Sequence, residues 1–438
     1  MNILIQNGRV IDPASGFDHV ADVAVADGHI LAIAKTGEKL PANFKAEQTI
    51  DAKGCIVAPG LVDLQVRLRE PGYEHEGMLA SELTAAVAGG VTSLVCPPDT
   101  DPVLDEPGLI EMLKFRAEKL HRARVFPLGA LTRGLKGEVL TEMSDLTDAG
   151  CVGFSQAEVP LENTQVLQRA LQYAATFGYT VWLRPQEMHL GRGVAASGPL
   201  ATRLGLGGVP VAAETIALHT IFALMRSTKA RVHLCRISSA EGVELVRAAK
   251  KEGLAVSADV SINSLHLSDH DIGYFDSRAR VTPVLRQQRD RDALRAALAD
   301  GTLDALVSDH MPVDNDGKAL PFAEAESGAT GLELLLSLSI KWANDSKVGL
   351  LRALDVLTAQ PAKVLGKIEG QSNSLGQLYV GGVADIVVFD PAVEWHVTPD
   401  ALHSQGKHTP FAFDMTGMSL PARVKATLVA GHVAYQAD

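Results

Sequence analysis

The chain has 438 residues, 46% hydrophobic and 21% charged, and its 52 acidic against 40 basic side chains leave a net charge of −12. That balance excludes nucleic acid as the main partner, and ordinary glycine and proline usage excludes a disordered chain. No run of about 20 apolar residues and no signal-like N-terminus is present, so a cytoplasmic protein with no membrane partner is expected.

Residues 1–57 alternate apolar and polar positions between glycine turns, as in Ile3-Leu-Ile-Gln-Asn-Gly-Arg-Val-Ile and Gly28-His-Ile-Leu-Ala-Ile. This is the pattern of half-buried strands. From 58 to 368 short β-branched runs alternate with amphipathic stretches. The strands predicted are Leu61–Val66, Val91–Cys96, Arg124–Gly129, Cys151–Phe154, Thr180–Leu183, Arg231–Cys235, Leu254–Asp259 and Ala305–Ser308. The helices between them include Met78–Ala88, Ile110–Lys119, Thr164–Phe177, Glu214–Met225, Ala240–Lys251 and Arg289–Ala299. Eight strands alternating with helices predict a closed parallel (β/α)8 TIM-like barrel. The segment Leu350–Leu365, interrupted at Pro361, leads into residues 369–438, which return to the strand style of the N-terminus. The expected organisation is therefore a β-sandwich built from 1–57 and 369–438 beside a barrel of 58–368. The Gly-rich stretch 187–210 reads as a loop, either mobile or ordered by a partner, and 313–328 as a covering segment with partial order. Cys55, Cys96, Cys151 and Cys235 lie far apart in apolar surroundings, which suits buried reduced thiols.

Chemistry in such a barrel belongs at the carboxyl ends of the strands. Fourteen histidines invite a metal-site reading, but the strand exits do not carry them. Strand 1 leaves through Gln65-Val-Arg67-Leu-Arg69, strand 4 through Gln156, strand 5 through Arg184, strand 6 through Arg236, and strand 8 through Asp309-His310. Guanidinium has no lone pair to donate, and three of them around one mouth repel a divalent ion. Salt bridges from these arginines to Asp309, Glu187 and Asp63 are the simplest expectation. Asp309, beside arginines, is expected to hold a lowered pKa and to make a poor base. His233 reads as a core residue, His266 and His270 as neighbours on an exposed segment, and His310 as a packing or supporting residue.

The phrase APGLVDLQVRLREPGYEHEG resembles the first-strand signature of the amidohydrolase superfamily, in particular the dihydroorotases, which carry two histidine ligands before Leu-Arg-Glu-Pro-Gly. The resemblance continues through AAVAGGVTSLVCPPDTDP, AGCVGFS, ARVTPVLR, SDHMP and GVADIVVFDP, covering nearly the whole chain. By that resemblance the family's metal-ligand positions fall on Gln65, Arg67, Gln156, Arg184 and Arg236. Asp309 is kept, as is Arg69, which in the family holds a substrate carboxylate. The family's asparagine positions read Asp99 and Thr282, a strand-7 histidine falls on Ser264, and His310 completes the remnant pocket. The resemblance implies a catalytically inactive dihydroorotase homologue, a pseudoenzyme with no catalytic residue, no metal and no cofactor. The role it implies is a homodimeric, non-catalytic subunit that assembles with the aspartate transcarbamoylase catalytic chain in pyrimidine biosynthesis. Two alternatives stay open. One is a divergent dihydroorotase or other cyclic-amide hydrolase using Asp309; the other is an anion-binding regulatory module built on Arg67, Arg69, Arg184 and Arg236.

Overall fold

The computed structural model describes residues 1–366, 375–412 and 417–437. Among these residues the barrel strands run in chain order as strand 1 (Leu61–Asp63), strand 2 (Val91–Cys96), strand 3 (Arg124–Pro127, continued by Gly129–Ala130), strand 4 (Phe154–Ser155), strand 5 (Thr180–Leu183), strand 6 (Arg231–Leu234), strand 7 (Val256–Ser261) and strand 8 (Ala305–Val307). Every neighbouring pair is parallel. Strand 8 closes on strand 1 through a parallel bridge between Val66 and His310, reinforced by the Arg67 N–H donating to the His310 carbonyl at 2.8 Å. The predicted strand order and number stand.

The alternation of side chains explains why these short runs are almost wholly apolar. Val62, Leu64, Val95, Phe126, Trp182, Cys235, Ala305 and Val307 fill the barrel interior. Their chain neighbours Leu61, Leu94, Val181, Leu234 and Leu306 point outward into the helix layer, so both faces are buried as in parallel sheets generally. The helix Thr164–Phe177 shows the local logic. Asn163 caps the N–H of Gln165, Gly178 ends the helix at φ 75°, and Val166, Leu167, Ala170, Leu171 and Ala174 form its buried stripe. Burial of each such leucine contributes roughly 1.5–3 kcal/mol.

The two ends of the chain form one hydrogen-bonded sheet of eight strands, in which Ile386–His396 lies between Ile56–Pro59 and Ser419–Val429. One of its faces encloses a separate core that includes Ile3, Ile5, Val23, Ile50, Ile386, Val388 and Leu428. The other face packs Ile11, Ile56, Phe389 and Val424 against the barrel. The expected boundary at 368/369 falls outside the described residues. The Leu350–Leu365 segment is two helices, Leu350–Asp355 and Ala359–Leu365, and Pro361 sits in the first turn of the second rather than breaking it. There a missing N–H costs little.

Residues 187–210 are not a plain loop: Ala195–Ala196 pairs with Gly208–Val209 in parallel around the helix Pro199–Leu204. The 313–328 segment likewise contains a helix, Asn315–Ala319, capped by Asp314. No helix among the described residues is long and apolar enough to cross a membrane.

Candidate active site at the barrel mouth

The strand exits bring Arg67, Arg184, Arg236 and Asp309 into a single polar cluster, with Gln65 and Gln156 buried at neighbouring exits. Its centre is a residue that the sequence reading did not single out, Glu158, three positions beyond strand 4. The Glu158 carboxylate takes a hydrogen bond from the Arg67 guanidinium at 2.8 Å and contacts both Arg184 and Arg236. Arg67 also donates from Nε to Asp99 at 2.8 Å. Arg236 donates to Asp309 at 2.8 Å and to the Thr282 carbonyl at 3.1 Å. Three cations are thus matched by three carboxylates, Glu158, Asp99 and Asp309.

The electrostatics follow from that packing. Burial works to raise the Glu158 pKa, but Arg236, Arg184 and Arg67 outweigh it and hold this carboxyl far below its ordinary range. Arg236 is pushed further up, since Glu158 and Asp309 overcome the effect of its burial. Arg184, with Glu158 alone as its acid and Arg236 and Arg67 nearby, is lowered, chiefly by burial. Asp309 departs from expectation: burial outweighs Arg236 and Arg67, so its pKa is raised, not lowered. A lone carboxylate at 4% exposure loses more from desolvation than one hydrogen-bonded cation returns.

The expected salt-bridge partners hold in one case of three. Arg236 pairs with Asp309, but Glu187 is turned back onto the N–H groups of His189 and Leu190, and Asp63 accepts from the N–H groups of Gln65 and Ser308. A charge count was the available signal for Glu158: three arginines at the exits, with Asp99 and Asp309 the acids beside them, require one more carboxylate.

The remaining residues of the mouth are internally engaged. Gln156 accepts from the Thr132 hydroxyl at 3.0 Å and donates to the Leu135 carbonyl at 2.8 Å. Arg69 pairs with Glu76 at 2.7 Å and donates to the Pro312 carbonyl, so its guanidinium is already matched. His310 accepts the Gly331 N–H at Nδ1 and donates from Nε2 to Glu82 at 2.8 Å, supporting the strand-8 exit from behind. Thr282 bonds the Ser327 hydroxyl at 2.7 Å, and Ser264 is buried away from the arginines' hydrogen bonds.

Three mouth residues, Arg69, Arg236 and Asp309, have φ of 64°, 57° and 52°. Left-handed backbone at non-glycine residues costs of order 1–3 kcal/mol each and concentrates at functional sites.

The donor set does not fit the paired divalent metals of hydrolytic barrels. Two amides and three guanidiniums stand at the strand exits, where such a centre needs imidazoles and carboxylates, and Glu158 lies between the three guanidiniums. A second group does have ligand chemistry. His233, Cys235 and Asp259 place donor atoms within 4.8 Å of one another, all buried. They lie on the inner wall below the mouth. Both His233 ring nitrogens are hydrogen-bonded, to Ser257 at 2.8 Å and Asp259 at 2.9 Å, and Asp259 also accepts the Arg236 N–H at 2.6 Å. This cluster therefore fixes the backbone from which Arg236 enters the mouth. His266, expected on an exposed segment, is instead held against the Leu338 carbonyl, and burial lowers its pKa to about 3.

A dihydro-orotase-like family model matches residues 54–242 and an amidohydrolase family model residues 211–434. The chain belongs to the dihydroorotase-like amidohydrolases. A dihydroorotase-like protein of Pseudomonas aeruginosa is 43% identical over 437 residues, covering all of both chains. A protein named dihydroorotase from Geobacter sp. (strain M21) is 40% identical over 438 residues, again covering both chains completely. Among solved structures, the L-hydantoinase (dihydropyrimidinase) of Arthrobacter aurescens superposes with a TM-score of 0.86 at 24% identity, over 99% of this chain and 96% of that one. Such an identity speaks to the fold, and it confirms the barrel with its terminal sheet.

These findings correct the expectation that the chain is not an enzyme. Full-length relatives at 37–40% identity are named dihydroorotase, and a buried His/Cys/Asp group with metal-ligand chemistry is present.

Proposed function

We propose that this dihydroorotase-like chain is a divergent cyclic-amide hydrolase of pyrimidine metabolism, and that hydrolysis at its barrel mouth rests on Asp309. The observation that carries this reading is Asp309 itself. It is the family's ionisable strand-8 residue, kept at the exit of strand 8, strained at φ 52°, buried, and raised in pKa. A carboxylate with a raised pKa is a better proton acceptor near neutrality than an ordinary one. Arg236, 2.8 Å away, holds the Asp309 carboxylate in place at the mouth. Turnover of dihydroorotate, hydantoin and dihydrouracil by purified protein tests the reading. Asp309→Asn is expected to abolish whichever activity is found, with the fold intact. Turnover unchanged in that variant, or none with any of the three, overturns it.

The resemblance read from the sequence supports a further step: the chain works as a homodimer inside an assembly with the aspartate transcarbamoylase catalytic chain. Co-expression and size-exclusion chromatography test this. Co-elution at fixed stoichiometry is the expected result, and a catalytic chain that assembles and works fully alone removes the reason for the association.

A further inference from the structure

Beside the Glu158 cluster lies a cavity of about 210 Å³, walled by the segment following strand 5, the exit of strand 6 and the Arg280–Arg286 segment. Its wall carries Arg184, Arg192, Arg236, Arg280 and Arg286, with Glu214 as the one acid. Arg184 and Arg236 are already matched by Glu158 and Asp309. The others are not. Arg286 is buried and donates only to neutral groups, the Ser238 hydroxyl at 2.8 Å and the Val209 carbonyl at 3.3 Å. Arg280 has its Nε buried with no hydrogen-bond partner, and nothing offsets the lowering of its pKa by burial. Glu214 does not serve them, since its two oxygens already accept from the N–H and hydroxyl groups of Ser238 and Ser239. The uncompensated charge of Arg280 is felt nearby: after burial, it is the largest influence holding the Lys318 ammonium down at about 7.

A partly buried cation without an acid is costly, and converging planar guanidiniums are the arrangement that recognises carboxylate or phosphate in a bidentate manner. We propose that this cavity binds a small oxyanion metabolite carrying two negative charges, held by Arg280 and Arg286 with Arg192 at the rim. The cavity lies below the roughly 300–1,000 Å³ of drug-sized sites, which restricts the ligand to a small head group. Of the arginines named from the sequence as an anion site, Arg67, Arg184 and Arg236 are balanced by Glu158, Asp99 and Asp309, and Arg69 is engaged by Glu76 and the Pro312 carbonyl, so the anion site lies further out. The inference stands apart from both readings of function above, because it requires neither turnover nor a partner.

The test uses the full chain with inorganic phosphate and malonate, at constant ionic strength with chloride as control. Thermal shift and calorimetry are expected to show stabilisation by at least one of them. Stabilisation by phosphate alone identifies a phosphate head, and stabilisation by malonate alone a dicarboxylate. Arg280→Ala is expected to weaken binding by about tenfold or more while leaving the ligand-free melting temperature unchanged or raised, because it removes an unpaired buried charge. Arg192→Ala, at the rim, is expected to weaken binding less and to leave the fold untouched. No stabilisation beyond chloride by either anion overturns the proposal, as does undiminished binding in both variants.

Discussion

Replacing Glu158 by glutamine removes one negative charge from a cluster that balances three against three, and leaves Arg184 with no acid at all. Loss of one partner from a buried ion pair costs about 3–5 kcal/mol, because the other charge stays behind unpaired. Glu158 keeps 24% of its side chain exposed, so water relieves part of that and the lower end of the range is expected, about 3 kcal/mol. Unfolding entropy of about 2.1 cal/mol/K per residue over 438 residues gives about 0.9 kcal/mol/K, so the melting temperature of Glu158→Gln should fall by about 3 °C. The sign of the pH dependence is fixed as well. The folded pKa of Glu158 lies below its ordinary 4.5, so its stabilisation is present above that value and is lost as pH falls through the folded pKa. Calorimetric or urea unfolding of wild type and variant at pH 7 and pH 3.5 measures both effects, and the gap between the two proteins should narrow in acid. Adding Arg184→Gln to Glu158→Gln should recover a large part of the loss, since the two side chains interact directly. A Glu158→Gln variant within about 1 kcal/mol of wild type at pH 7 refutes the reasoning, because each arginine would then be satisfied without it.

Burial pushes Asp63 and, against Arg69, Glu76 up to about 7. The folded state holds these protons more tightly than the unfolded chain, so their contribution is full below about pH 4 and declines as pH rises to 7. Urea midpoints should show this fall in wild type and a shallower one in Asp63→Asn; equal slopes contradict it. All four thiols are buried and raised, Cys96 to about 12, so a thiol reagent at pH 8 should find none in the native protein and four after denaturation. Trp342 is fully buried in the helix Leu335–Ser346, and its indole N–H has no partner. Trp342→Ala should cost about 3–5 kcal/mol, and Trp342→Phe much less, because it also deletes an unsatisfied donor.

The barrel was legible because its signal is repeated: eight apolar runs, each followed by a helical stripe, leave little freedom in how the middle of the chain closes. Helix Thr164–Phe177 matches its predicted bounds, where Asn163 and Gly178 punctuate both ends. Residues 187–210 hid their strands because two-residue pairings such as Ala195–Ala196 with Gly208–Val209 have no periodicity to read. The mouth was legible in its cations and not in its anions. Arg67, Arg184 and Arg236 stand at strand exits, where alternation predicts their direction, whereas Glu158 lies past Ala157 at φ 49°, a kink that breaks any alternation. Asp309 shows a different limit. Its neighbours were read correctly, but the sign of its pKa shift depends on how completely water is excluded, which residue identity alone does not state.

The mouth solves an electrostatic problem with the signs exchanged. A metal pair in a hydrolytic barrel is positive charge ringed by imidazoles and carboxylates, whereas here the Glu158 carboxylate is ringed by Arg67, Arg184 and Arg236. Each form is stable only as a set. One guanidinium beside a divalent ion is repelled by it, and Glu158 without its arginines is a buried charge with nothing to balance it. Restoring a single imidazole by Arg236→His therefore supplies one ligand while removing the cation that Glu158 and Asp309 share. The expected result is a protein less stable than wild type and no better at retaining zinc through dialysis. Tight zinc binding by Arg236→His alone would show that Glu158 can turn from counter-ion to ligand, and that the two charge patterns are one substitution apart.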